Sequence, residues 1–359
     1  MSKKAFLALA LEEVGLVAGE TPVGTVHEEY ADATVDDILE EAEAEQEEVA
    51  EKVAEIDAAS EVQEGLEALV ASMESALADP NYSAREYQLQ VSHAATLLGR
   101  IGLGLPAGLS CESTDGAEAA KEGFADKAKK IGKAVSDALK KFFAWLVESG
   151  KKLTDRLVAT LGKFADLVKT GKWNKDAEVE FETEAWPGYE FDPEYPLAQL
   201  YSFDKWHLDV LKIFIGYAAS ELSKETPESL KHHQCDELAE RLKNYKFNGP
   251  GQLTFGTEKA ERYYHVAKAE VRTFKFKAGA VCDWKQFAKK AEENANDLNR
   301  LYQDAIKKIG PVYNDCPEFV RMFHNTQVHL ENFRRQLAST IIKHCRSVIE
   351  AGLAKDVDE

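Results

Sequence analysis

The chain has 359 residues, enough for two or three domains, and its 44% hydrophobic content excludes a protein that is disordered throughout. No apolar run reaches the roughly 18 residues that a membrane-spanning helix needs. The apolar stretch after Lys3 and Lys4 is cut off by Glu12 and Glu13, so it is too short for a secretory signal. We therefore expect a protein of the reducing cytosol, and the five widely spaced cysteines predict no disulfide framework.

The negative charge is concentrated in the first third of the chain. Residues 1–112 hold 24 acidic and 5 basic side chains, whereas residues 113–359 hold 39 of each. The formal net charge of −19 therefore belongs to the N-terminal third alone. Such segregation indicates an acidic arm whose role differs from that of the neutral body.

The acidic arm begins with a stretch that lacks periodicity. Residues 1–32 are predicted to be mostly loop, with a short helix at 6–17. From Thr34 to Leu77, apolar residues recur at helical spacing among glutamates, which predicts one long acidic amphipathic helix or two in series. Its Ala-rich seam and the glutamates of 40–48 favour a solvated helix over coiled-coil pairing.

A flexible boundary follows a second, shorter helix. Pro80 ends the first helix, and Ser83 with Glu86 forms a capping box that opens a helix to about Leu98. Residues 102–116 contain four glycines and a proline, which is typical of a linker. Because the charge imbalance ends at the same place, we predict a domain boundary there.

A basic amphipathic segment comes next. An apolar stripe runs from Phe124 to Val168 with an interruption at Ser149-Gly150, and residues 121–175 hold 14 basic and 6 acidic side chains. The simplest interpretation is a helical hairpin with solvated lysines. The alternatives are non-specific contact with nucleic-acid phosphate and, less favoured, docking on an anionic membrane surface. The predicted phosphate-binding residues are Lys127, Lys129, Lys130, Lys133, Lys140, Lys141, Lys151 and Lys152.

The remaining chain predicts a helical body with a little β-structure. A strand is expected at 178–184, a helix at 203–223, and a helix capped by Thr226 that continues to about Tyr245. A hairpin around Asn248-Gly249 and a strand at 271–277 follow. Two long helices at 284–309 and 317–352 complete a fold that is mainly α, with long amphipathic helices and a small β-hairpin element near 245–280.

No recognisable catalytic or cofactor motif occurs in the sequence. Nucleotide-binding glycine patterns, serine-hydrolase elbows and zinc-protease motifs are missing. His232, His233 and Cys235 lie too close in sequence to share a helix face, so they do not predict a metal site. We expect a protein that is not an enzyme and has no cofactor and no metal, although an enzyme of unrecognised type stays a third alternative.

Within the linker, Ser110, Cys111, Glu112 and Ser113 resemble a known processing signal. This S-x-E sequence is similar to the cleavage signature of the prohead protease of phiKZ-like jumbo tailed phages. The layout is similar too, with an acidic helical leader, a flexible cut site and a helical body that opens with lysine-rich helices. Ser72-Met73-Glu74 also fits the pattern, but it lies in a predicted helix, whereas proteases cut extended backbone.

The resemblance implies an internal head protein that is packaged as a precursor inside the capsid and matured by cleavage after Glu112. The implied partners are the prohead protease and other capsid or inner-head proteins, with packaged DNA as a non-specific candidate and a membrane less favoured. The implied location is the capsid interior, after assembly in the host cytoplasm. The chain then divides into a propeptide-like leader (1–112), a basic helical segment (113–175) and a mainly helical body (176–359). The alternative is a helical nucleic-acid-binding or adaptor protein whose acidic arm masks its own basic surface.

Overall fold

The computed structural model describes residues 35–106, 116–169, 173–185, 191–247, 253–259, 261–266, 269–280, 284–312 and 315–353. Residues 1–32, including the helix predicted at 6–17, lie outside these ranges. Within them the fold is mainly α with a small β element, as the sequence predicts. The helices are α1 Val35–Leu77, α2 Ala84–Arg100, α3 Ala117–Lys169, α4 Pro196–Ser220, α5 Pro227–Lys231, α6 Asp236–Asn244, α7 Trp284–Ile309 and α8 Pro317–Leu353.

Two antiparallel pairs supply the β-structure of the described residues. Strand β1 (Glu178–Ala185) pairs along its whole length with β4 (Glu270–Lys277), so the two strands predicted at 178–184 and 271–277 are confirmed. Strand β2 (Thr254–Phe255) pairs with β3 (Tyr264–His265). The described hairpin therefore turns after Phe255. Residues 245–247 are not a strand, and Asn248-Gly249 lies outside the described residues.

The capping box before α2 is confirmed. The Ser83 hydroxyl accepts a hydrogen bond from the backbone N–H of Glu86, and the Glu86 carboxylate accepts one from the backbone N–H of Ser83. Two N–H groups that a helix start leaves unpaired are thereby satisfied. The hydrogen bond from the Ser83 N–H to the carboxylate, together with one from the Ser83 hydroxyl at 2.8 Å, lowers the pKa of Glu86.

The predicted interruption of the basic segment at Ser149-Gly150 is wrong. Helix α3 runs unbroken from Ala117 to Lys169, and both Ser149 and Gly150 are buried. Ser149 exchanges hydrogen bonds with neighbouring side chains, and a Cβ on Gly150 would lie 3.8 Å from a guanidinium nitrogen of Arg334. The two small residues are therefore a packing feature of the helix, and the helix has no break there.

The single helix predicted from Thr226 to Tyr245 is also wrong. The Thr226 side chain does cap α5, but that helix ends at Lys231, and α6 starts at Asp236. The intervening segment is held by tertiary contacts: the Tyr217 hydroxyl lies 2.9 Å from His233 Nε2, and Cys235 is buried. These contacts outweigh the helix propensity of the segment.

The described chain forms two compact units that cut across the predicted segment boundaries. The first comprises Ala50–Phe142, and the second comprises residues 35–49 together with those from Phe143 onward. Helices α1 and α3 each contribute to both units. In each unit, residues from before the linker are grouped with residues from after it. The functional division of the chain at the linker stays a prediction.

The first unit packs α1, α2 and the start of α3 against one another. A Cβ on Gly65 of α1 would lie 2.8 Å from Leu97 of α2, and one on Gly132 of α3 would lie 2.7 Å from Gln63 of α1. The apolar stripe of α1 is buried at Ile56, Val62, Leu66, Leu69 and Met73. The prediction of a solvated acidic helix is therefore wrong for this face, because two neighbouring helices cover it.

The second unit has an aromatic core between α4, α7 and α8. Phe203 and Phe333 lie with ring centroids 4.9 Å apart, and Phe214 and Phe323 lie 5.3 Å apart. Rings at such distances add attraction beyond the apolar area that they bury. The β1–β4 pair is attached to this core through His344 of α8, whose ring contacts Phe181, Phe191 and Phe276.

Candidate functional site

The predicted site residues are spread along the chain. Ser110, Cys111, Glu112 and Ser113 lie outside the described residues. The predicted lysines all lie on α3, where the structure does not describe the side chain of Lys151. Lys129, Lys130, Lys133 and Lys141 are exposed, whereas Lys127, Lys140 and Lys152 are half-buried. The boundary between the two compact units falls after Phe142 of α3. Lys152 therefore belongs to the second unit, and Lys127, Lys129, Lys130, Lys133, Lys140 and Lys141 belong to the first.

Three buried arginines form the most unusual feature of the second unit. Arg156 on α3 and Arg334 and Arg335 on α8 are only 3%, 4% and 3% exposed. A charged side chain is seldom buried so completely unless carboxylates compensate it. We call these three residues, with the carboxylates and hydroxyls that they contact, the arginine cluster.

Arg334 is satisfied by the helical body itself. Its Nε donates to Asp204 on α4 at 2.8 Å, and its Nη2 donates to the Thr154 hydroxyl at 3.3 Å. Asp204 is fully buried. Burial opposes the charge on Arg334, but the Asp204 carboxylate outweighs it and raises the pKa of Arg334 above its usual value. This ion pair joins α4 to α8.

Arg156 is satisfied by the acidic arm. Its Nη2 donates to Glu45 at 2.9 Å and to Glu41 at 3.0 Å. Both carboxylates lie on α1, one turn apart, where residues four apart share a helix face. The Glu45 side chain is 16% exposed and the Glu41 side chain 56%, so Glu45 supplies the more strongly desolvated contact.

Arg335 also reaches the acidic arm. Its Nη1 lies 3.4 Å from a Glu45 carboxylate oxygen, and its Nη2 donates to the Ser149 hydroxyl at 2.7 Å. Ser149 in turn donates to Glu45 at 3.3 Å. The guanidinium also lies over the Trp145 ring, 5.8 Å from its centroid, a geometry that favours a cation.

A buried polar network adjoins the arginine cluster. The Tyr302 hydroxyl on α7 donates to Glu331 at 2.9 Å and lies 3.0 Å from His207 Nε2, which is 2.9 Å from the Gln327 oxygen. Burial, aided by Glu331, raises the pKa of Tyr302. Burial likewise lowers the pKa of His207, so its ring is neutral at pH 7. The network ties α4, α7 and α8 together.

Histidines that a catalytic site could have used lie in different surroundings. His207 is in this buried network, whereas His232 is exposed at the end of α5 and His265 is exposed on β3. Over the described ranges, no group of three His, Cys, Asp or Glu side chains is placed to hold a metal ion. Nor does any helix in those ranges have the length and apolar character to cross a membrane. The contacts that the structure shows in the arginine cluster are ion pairs and hydrogen bonds, which join α1 to α3 and α8 and join α4 to α8.

Sequence reasoning missed the arginine cluster. Arg156 was counted among the lysines of the basic segment, although its position beside the apolar Leu157 and Leu153 places it near the buried face. A second signal was Arg334-Arg335 beside Phe333 on a helix with an apolar face, since an arginine that is buried there requires carboxylate partners. Nothing in the sequence identifies Glu45, among the neighbouring glutamates, as their partner.

Comparison with known proteins gives one match. The model of the family described as phiKZ-like phage internal head proteins matches residues 34–180, which is less than half of the chain. No curated protein matches. No solved structure matches. The matched region takes in α1, α2, α3 and the linker between α2 and α3. The match indicates a phage internal head protein, that is, a structural protein from inside a virion.

Proposed function

We propose that this chain is an internal head protein made as a precursor and cut after Glu112 by the prohead protease. The observation that carries the proposal is the family match over residues 34–180, because it spans both sides of the linker that holds Ser110-Cys111-Glu112. A structural protein of the head interior has no need of a catalytic site, which agrees with a role other than that of an enzyme.

The charge distribution supports a cut at this position. Cleavage after Glu112 removes the whole formal charge of −19 and leaves a body with equal numbers of acidic and basic residues. An acidic leader repels DNA, so its removal suits a protein that stays beside a packed genome. The exposed lysines of α3, such as Lys129 and Lys133, then offer a non-specific surface for phosphate. Other capsid and inner-head proteins would be contacted during assembly in the host cytoplasm.

The packing of the leader adds a condition to this maturation. In the first unit α1 and α2 pack against α3, and in the second unit Glu41 and Glu45 bind Arg156. Breaking one peptide bond in the linker leaves both sets of contacts in place. We infer that the cut leader stays bound until it is displaced or digested further.

The cleavage step is tested with the full chain and the prohead protease. Glu112→Gln should abolish the fragment that begins at Ser113, because the protease reads the glutamate of S-x-E. Glu74→Gln is the matched control: Ser72-Met73-Glu74 fits the same signature, but it lies within α1 with Met73 fully buried. Loss of the Ser113 fragment in the control, or its persistence in Glu112→Gln, would contradict the assignment of the site.

A further inference from the structure

The arginine cluster contains two kinds of ion pair that differ in where the carboxylate comes from. Arg334 is paired with Asp204, which belongs to the same helical body. Arg156 and Arg335 are paired with Glu41 and Glu45 of the acidic arm. The carboxylates of Glu41 and Glu45 thus lie on the segment whose covalent link to the body the proposed cleavage would cut.

We propose that Arg156, Arg335 and Ser149 form a phosphate-binding site, which Glu41 and Glu45 fill in the intact chain and which opens when the arm is displaced. The Glu45 carboxylate shows the geometry of the site. It accepts from Arg156 at 2.9 Å and from Ser149 at 3.3 Å, and it lies 3.4 Å from Arg335. Two guanidiniums and a hydroxyl around one oxyanion suit phosphate as well as carboxylate.

The charges of the cluster favour a replacement anion. With the arm in place, three guanidiniums face the carboxylates of Glu41, Glu45, Asp204 and Glu331. Displacing the arm takes away the charges of Glu41 and Glu45, while the guanidiniums remain. Burial lowers the pKa of Arg335, but an arginine keeps its proton at any physiological pH. The positive charge that the arm had neutralised is then open to hydration or to another anion.

Arg335 has donor capacity beyond its contacts with the arm. Among the described residues, its Nε has no hydrogen-bond acceptor, although the side chain is only 3% exposed. A carboxylate has two oxygens, and those of Glu45 are shared among three donors. A phosphate offers more oxygens than a carboxylate and can engage this additional N–H. The biological occasion for the exchange rests on the proposed function, since cleavage would leave the arm free to be displaced or digested inside a head filled with DNA.

The test uses the uncleaved full chain and inorganic phosphate, with binding measured by calorimetry. Glu41→Ala/Glu45→Ala removes both arm carboxylates and vacates the space that they fill beside Arg156 and Arg335. We expect it to bind phosphate at least about tenfold more tightly than the unmodified chain, which corresponds to one charge-assisted hydrogen bond gained. Glu47→Ala is the matched control, because Glu47 is an exposed carboxylate of the same arm.

Two further measurements make the result decisive. Adding Arg156→Gln and Arg335→Gln to the double variant should remove the gained affinity, and competition by a short DNA duplex would distinguish backbone phosphate from the free ion. Equal affinity of the double variant and Glu47→Ala would overturn the proposal. If circular dichroism shows the double variant unfolded, Glu45→Ala alone is compared in the same way. Since no cleavage is involved, failure here leaves the processing proposal untouched, and an uncut linker in particles leaves this site untouched.

Discussion

In the second unit, single buried charged side chains have a large effect on stability. Asp204 is fully buried and faces Arg334, which is itself buried. Removing one partner of a buried ion pair leaves an uncompensated charge in a medium of low dielectric. The stability of the helical body therefore depends on single carboxylates much more than on its many exposed ion pairs.

Asp204→Asn should lower the free energy of unfolding by about 3–5 kcal/mol, the usual cost of breaking a buried pair. Asp209→Asn on the same helix is the control, since Asp209 is 40% exposed in its pair with Lys212. That change should cost about 0.5 kcal/mol or less. Urea unfolding of both variants measures the difference, and similar values for the two would show that the buried pair has no special weight.

Buried histidines make stability depend on pH. Burial lowers the pKa of His344, which lies among three phenylalanine rings, to about 3, and it lowers the pKa of His324 to about 3. The unfolded chain takes up these protons near pH 6.5, whereas the folded chain does not. The stability contributed by the neutral rings is thus fully present above about pH 6.5 and is lost as the pH falls towards the folded pKa.

His344→Leu should therefore reduce the loss of stability on acidification from about pH 6 to pH 5. Each such histidine contributes about 1.4 kcal/mol per pH unit in this window. His93→Gln is the control, because His93 is exposed on α2. Thermal unfolding at both pH values gives the slopes. An unchanged slope in His344→Leu would mean that His344 does not carry this dependence.

At the scale of elements, small residues determine how closely helices approach their neighbours. A Cβ on Gly352 of α8 would overlap the Trp173 indole nitrogen, whereas a Cβ on Gly162 of α3 would meet nothing within 4 Å. The Trp173 indole N–H donates to Val348 O at 3.4 Å, so a side chain at 352 would displace it. Alanine should therefore be unfavourable at position 352 and favourable at position 162.

Gly352→Ala should destabilise the second unit by about 1–3 kcal/mol, the usual cost of overpacking. It should also shift the tryptophan fluorescence, because the Trp173 ring must move. Gly162→Ala should instead stabilise by up to about 1 kcal/mol, since alanine favours a helix interior over glycine. Equal effects of the two substitutions would contradict the close approach of Trp173 to α8.

The attachment of the leader is also a property of elements. A chain nicked in the linker should elute from gel filtration as one particle, because α1 and α2 pack against α3 and the arm binds Arg156. Combining the nick with Glu45→Gln and raised salt should weaken the arm's contact while the apolar packing persists. Separate elution of the 1–112 fragment at low salt would show that these contacts do not retain it.

The sequence predicted most elements because their signals are local. The Ser83–Glu86 box, the alternation in 271–277 and the periodic stripe of α3 each depend on residues close in the chain. The positions where helices are interrupted were predicted poorly. Ser149-Gly150 stays helical, and Ser149 is held by Arg335, which is distant in the chain. The segment after Lys231 leaves the helix, and His233 there contacts the distant Tyr217. The pairing of β1 with β4 was likewise set by tertiary contacts.

At the scale of the whole molecule, the sequence indicated the family resemblance but not the arginine cluster. The acidic leader, the linker and the basic helix could be recognised from charge and composition, and the family match covers that region. The arginine cluster could not be recognised, because Glu41 and Glu45 meet Arg156 and Arg335 only after folding. An acidic helix that looked independent in the sequence is thus a ligand of the body.

Peptide mapping of the protein from purified phage particles tests the central claim most directly. Trypsin cuts after Arg100 and Lys121, so an uncut chain yields a peptide of residues 101–121 that contains Glu112. We predict that mature particles lack this peptide and instead give one that begins at Ser113 and ends at Lys121. An abundant 101–121 peptide in mature particles, with none that begins at Ser113, would contradict maturation after Glu112.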